Sequence, residues 1–123
     1  MALPPPDLNK AMAVSHESIR GTLGHIHFAG RLWYKRTIDA GMSMRPMAGL
    51  SSLEAITGDW PHLQKQWEAW ADSLSDGDLD RVVSYKLLDG TPMDSPPGHV
   101  VLHLVNHATL HRGQVAGCYA SWA

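Results

Sequence analysis

Apolar residues recur along this chain with two different periods. From Ser15 onward, Ile19, Leu23, Ile26, Gly30 and Trp33 return at steps of three or four, the spacing of one face of an α-helix. The pattern predicts a helix over residues 15–40, with Ser15 as cap, Glu17 and Ser18 in the first turn and Gly41 as stop. A second stripe, Trp60, Leu63, Trp67, Trp70, Ala71 and Leu74, predicts a helix from about residue 60 to 75. Asp59 is its cap candidate, Pro61 suits its first turn and Gly77 ends it. Residues 53–57 read as a short helical turn ahead of that cap. A third stripe, Val100, Leu104, Val105, Ala108, Val115, Cys118, Tyr119 and Trp122, predicts a last helix running close to the C-terminus. Ser95 is placed to cap it, and Pro96-Pro97 fit its opening turn.

Between the second and third stripes the period falls to two. Val83, Tyr85 and Leu87 alternate with Val82, Ser84, Lys86 and Leu88, and Asp89-Gly90 follows. Alternation ending in Asp-Gly predicts a small β-hairpin within residues 81–93, with Pro92 confining the second strand to an edge. "PPP" at residues 4–6 reads as an extended lead-in that continues to residue 14. "GMSMRPMAGLSS", residues 41–52, reads as a loop by its Gly, Pro and Ser content. There is no internal repeat. The expected architecture is one mainly α-helical domain over residues 1–123, a bundle with a small hairpin before its last helix.

Composition narrows the function classes. With 123 residues the chain suits a single core, and 44% hydrophobic with 18% charged residues is ordinary for a globular protein. A net charge of −2 leaves no basic excess to hold a phosphate backbone, which argues against nucleic-acid binding. No apolar run approaches the roughly 20 residues of a membrane span. "MALPPPDLNK" lacks the basic and apolar regions of a secretory signal. A single cysteine, Cys118, excludes an internal disulfide and fits a reducing compartment, so a cytoplasmic location is expected.

Eight histidines are many for this length, and five fall in two clusters: His25 and His27, then His103, His107 and His111. The last three are spaced by four, so they stack along one side of a helix. Two such histidines can share a metal ion. Three cannot, because His103 and His111 lie roughly 12 Å apart along the axis at 1.5 Å per residue. One adjacent pair would bind, and a third ligand would come from another helix. His25 and His27 are the candidates there, about 200° apart around their helix, so both cannot face one partner. Spacing alone leaves the choice open. An i, i+4 histidine pair is also often no more than part of a polar face. Other residues read blandly: Cys118 and the Trp67/Trp70 stripe as core, His16, His62 and His99 as surface or cap-adjacent. Glu17, Glu54 and Glu68 include no evident general base.

The clusters also resemble a known family. "HLVNHATLHRGQV" (103–115) is similar to the His-x-x-x-His-Arg-Gly-Gln signature on the last bundle helix of the DinB/YfiT-like metalloprotein superfamily. "SIRGTLGHIHFAGRLWYKR" (18–36) resembles that family's second helix, with Leu23-x-His25-Ile26 followed by Arg31 and Trp33. "YKLLDGTPM" resembles its hairpin. The likeness covers about residues 15–120 and implies an up-down helical bundle with a three-histidine site. Carried over, the ligands are His25, His107 and His111; His27 points elsewhere, and His103 and Gln114 support the site or line its pocket. Gly113 is placed to allow close helix packing. The family normally begins with a further amphipathic helix, for which residues 7–14 are too few. The chain therefore reads as a shortened member, its uncovered apolar stripe expected to be met by a second copy in a homodimer.

Three neutral imidazoles leave coordination positions open to water or substrate, the layout of a catalytic site. Zinc or nickel suits an all-imidazole set, with iron or manganese as further options. Some members of the resembled family are thiol S-transferases and others are hydrolase-like. The resemblance thus implies a metal-dependent enzyme acting on a small molecule, most concretely an activated low-molecular-weight thiolate attacking an electrophile. The other reading is a non-catalytic, stress-associated bundle in which the metal is structural.

Overall fold

The computed structural model of the chain describes residues 4–38 and 52–121. Three long helices carry the fold: α2 (Ile19–Ile38), α3 (Leu53–Asp72) and α4 (Pro97–Ala120). A one-turn helix, α1 (Pro5–Leu8), precedes them. A 3₁₀ turn (Asp76–Leu79) and an antiparallel hairpin of β1 (Val83–Lys86) and β2 (Pro92–Ser95) lie between α3 and α4.

α2 is the middle helix and packs on both others. Against α3, Gly24 faces Ile56, His27 meets Asp59, Gly30 faces Leu63 and Tyr34 meets Trp67. The paired numbers rise together, so α2 and α3 run parallel. Against α4, His25 meets His107 and His111 while Trp33 meets His103, so those two helices run antiparallel. The up-down order therefore holds between α2 and α4. Core side chains come from both contacts: Ile19, Ile26, Ala29 and Leu32 of α2, Ile56, Leu63 and Trp70 of α3, Val100 and Cys118 of α4.

The hairpin is fastened to the far end of α2. Val83 and Tyr85 are buried while Ser84 and Lys86 point out, the alternation the sequence predicts. Gly90 has φ +87, a conformation glycine adopts without steric cost, and the Asp89 side chain accepts from Thr91 N. The buried Arg36 guanidinium donates to Lys86 O at 2.8 Å and lies over the Trp33 and Tyr85 rings. The pairing sets Lys86 opposite Pro92, which opens its strand.

Several expected boundaries are corrected. The triple proline is not an extended lead-in: Pro4 is extended and a helical turn follows it, since proline suits a first helical turn, where no N–H partner is lost. α2 begins at Ile19 because Ser18, not Ser15, caps it, its hydroxyl accepting from Gly21 N at 3.0 Å. α3 begins at Leu53, capped by Ser52, whose side chain accepts from Ala55 N. Residues 53–57 are thus the first turns of one continuous helix. Asp59 caps nothing, and Pro61 sits within the helix on an exposed side. α4 has Pro96 at its cap position, with no side-chain cap. Residues 39–40 of the first predicted helix and 41–51 of the predicted loop lie outside the described residues.

Candidate metal centre

The helix-facing stripe of α4 runs Val100, Leu104, His107, His111, Gln114, Cys118, at steps of three and four. At most of these positions a bundle buries apolar groups. Here His107, His111 and Gln114 are polar, and His111 is only 5% exposed. Opposite them, α2 presents His25. The His25 and His107 Nε2 atoms lie 2.8 Å apart, and the His111 ring is centred 4.7 Å from that of His25 and 4.5 Å from that of His107. A 2.8 Å gap between two imidazole nitrogens is hydrogen-bond distance, with one Nε2–H donating to the other ring's Nε2. Around one zinc ion, with Zn–N of about 2.0–2.1 Å, two nitrogens at the tetrahedral angle would stand about 3.4 Å apart. The pair needs only a small separation to admit an ion.

A fourth imidazole joins them. The sequence alone places His16 at the surface or beside a cap. Instead its ring stacks on His25, with centroids 3.8 Å apart and planes at 21°, and tilts against His111 at 5.2 Å. Ligand nitrogens of His16, His25 and His111 all lie within 4.8 Å of one another. Among the described residues this is the group of His, Cys, Asp or Glu side chains arranged to hold a metal, and it consists of imidazoles alone.

The electrostatics favour lone pairs over protons. Burial, reinforced by neighbouring His16, His107 and His111, pulls His25 down to about 4. Burial also lowers His107, assisted by His111, His103 and His16. His16 is lowered by burial and by His111. At neutral pH these rings are therefore uncharged, the form that binds metal. Gln114 orients the most buried of them. Its Oε1 is 2.7 Å from His111 Nδ1, and a carbonyl oxygen can only accept, so Nδ1 carries the proton.

The remaining predicted residues lie elsewhere. His27, two residues beyond His25, faces α3; it is 2% exposed and its Nε2 lies 2.7 Å from Asp59 Oδ2. Arg31 grips the same carboxylate through Nε and Nη2. The Arg31 bond, with help from His27, holds Asp59 down to about 2 despite partial burial. His103 is exposed one turn from His107, its ring 5.3 Å from Trp33, so it stands at the rim of the cluster. Gly113 is not a close-packing site: it is exposed, and a Cβ there would meet nothing within 4 Å. Cys118 is buried among core residues. His62 and His99 are exposed.

A family model of the DinB superfamily matches residues 2–115. The chain belongs to the DinB superfamily. The match takes in α1 and the segment before α2 as well as the histidine-bearing helices, so the membership extends N-terminally of the resemblance read from residues 15–120. No match was found among curated proteins or among solved structures.

Among the imidazoles brought together here, His16 is the one that sequence spacing does not predict. It sits in a turn, where helical spacing carries no information. Gly21 is the one local sign: in the second position after Ile19 a glycine weakens a helix, so it calls for a reason. The reason is the close passage of the His16 backbone, whose carbonyl oxygen leaves no room for a Cβ at Gly21.

Proposed function

We propose that this DinB-superfamily chain holds one divalent ion through His25, His107 and His111 and is a metal-dependent enzyme acting on a small molecule. The activity would be thiol S-transferase-like or hydrolase-like. The observation that carries this reading is the convergence of imidazoles from α2 and α4 at positions where a bundle would otherwise bury apolar side chains. The donor set fits zinc or nickel, with iron or manganese as further options. When bound, such an ion acidifies a water or thiol and polarises a carbonyl.

The chain's own residues support that role in distinct ways. Gln114 fixes the His111 tautomer and ring orientation. Trp33 and His103 form an aromatic edge beside the imidazoles, suited to the apolar part of a small substrate. The preferred substrate is a low-molecular-weight thiol. Nucleic acid is not a partner for an acidic chain. No described helix is long and apolar enough to cross a membrane, and a lone buried thiol accords with work in the cytoplasm. A second copy of the chain is the expected cover for the apolar groove between α3 and α4.

One observation favours a second reading, in which the ion is structural. The imidazoles tie together α2, α4 and the segment before α2, so an ion among them would also act as a clamp. Metal content of tag-free protein, measured on wild type beside His107→Ala and His111→Ala, tests the site. About one zinc or nickel per chain, lost in both variants, is expected. A chelated chain that stays folded supports the enzyme; one that unfolds supports the clamp. Wild type that takes up no zinc, nickel, iron or manganese overturns both.

A further inference from the structure

The turn that carries His16 is built with care that a surface loop does not need. Met12 N donates to Glu17 O at 2.7 Å, Glu17 N to Val14 O at 3.0 Å and Ser18 N to His16 O at 2.8 Å. Glu17 takes φ 65, a left-handed conformation that costs an ordinary residue about 1–2 kcal/mol. Gly21 lets the turn lie against α2: a Cβ there would come within 2.2 Å of His16 O. Gln114, having accepted from His111, donates its amide to Ser15 Oγ at 3.3 Å and so joins the turn to α4. Strain, a close backbone approach and a cross-link between segments all serve to set one imidazole face to face with His25.

We propose that His16 donates a fourth imidazole to the ion, so that this chain has a four-histidine site in place of the three-histidine site the family resemblance implies. The proposal rests on the metal reading above. Its carrying observation is that His16, His25 and His111 present ligand atoms within 4.8 Å of one another while His107 Nε2 lies 2.8 Å from His25 Nε2. Three of the four imidazoles stand on helices, and His16 alone stands on a turn. The open position that a catalytic site needs then depends on His16 giving way to substrate.

The test is X-ray absorption on the zinc-loaded wild-type chain, which counts imidazole rings at about 2.0–2.1 Å without any substitution. Four imidazoles are expected. Two variants follow by competition titration with zinc and by the visible spectrum of the cobalt-loaded protein. His16→Ala should bind roughly tenfold or more weakly, since even losing a ligand's supporting partner costs that much. Its cobalt spectrum should change. Gly21→Ala keeps the imidazole but pushes its backbone away, and should shift affinity and spectrum the same way. Three imidazoles in wild type, with both variants unchanged in affinity and spectrum, would overturn the fourth ligand and leave the three-histidine reading standing. Wild type that binds neither zinc nor cobalt would overturn the metal reading itself and this proposal with it.

Discussion

Gln114 uses the two ends of one amide differently. The oxygen accepts from His111 and the nitrogen donates to Ser15, so one side chain fixes a tautomer and tethers a turn. Gln114→Leu should leave the chain folded and weaken zinc binding by roughly 10–100-fold, the usual cost of removing a ligand's supporting partner. Unchanged affinity in a competition titration would remove that role. The imidazoles also set an acid limit. His25 sits at about 4 in the fold against 6.5 ordinarily, so the unfolded chain takes up its proton first as pH falls. The metal-free protein should therefore lose stability as pH drops from about 6.5 to about 4, and His25→Ala should flatten that part of the curve. Asp59 works lower down. Its carboxyl, held at about 2 against 3.8, contributes stability above 3.8 that is lost as pH falls toward 2. Asp59→Asn should flatten only that lower limb, read as melting temperature against pH. At this scale the stacking of His103, His107 and His111 on one helix face was legible because helical spacing is local, while the choice of His25 over His27 came from the family resemblance. His16 was not legible, because its meeting with His25 depends on how a turn folds back.

At the scale of the element, α3 shows how a correct signal can be assigned to the wrong place. Asp59 ahead of an apolar stripe, with Pro61 two residues on, is a sound helix-start pattern. Ser52 starts the helix earlier, and the Asp59 carboxylate is taken by Arg31 and His27 of the neighbouring helix. The two sites have different energetic weight. Ser52→Ala removes one cap bond at an exposed position and should cost about 1 kcal/mol. Asp59→Asn removes charge-assisted bonds beside a buried histidine and should cost about 2–3 kcal/mol. Urea denaturation of the two variants checks the order, and equal losses would contradict it. The hairpin, by contrast, was legible from its turn: Asp89-Gly90 supplies a positive φ and a side-chain acceptor in adjacent residues.

At the scale of the molecule, α2 separates α3 from α4, and a groove of about 420 Å³ opens between the outer two. Trp67, Trp70, Val101, Leu104, Val105 and Ala108 line it. Leu102, Val105 and Leu110 of α4 are each more than half exposed. Apolar surface of this kind on a small bundle calls for a cover. With a second copy as that cover, light scattering should give a dimer mass for wild type and a monomer mass for Val105→Glu. A wild-type monomer would overturn the second copy as the cover. The apolar stripe of α4 was visible in the sequence; which part of the helix stays open depends on where α3 sits.

What the sequence determined by itself was local: three helical stripes, an Asp-Gly hairpin, and histidines spaced to share a face. Each follows from backbone periods of 3.6 and 2, which need no knowledge of neighbours. The tertiary structure decided what each of those faces meets. Because α2 is packed on both sides, His25 and His27, about 200° apart, both find partners: one the imidazoles of α4, the other the carboxylate of α3. Because the turn before α2 folds back over Gly21, a histidine with no periodic relation to the others joins them. Contacts between residues far apart in sequence set those outcomes, and no local period encodes them.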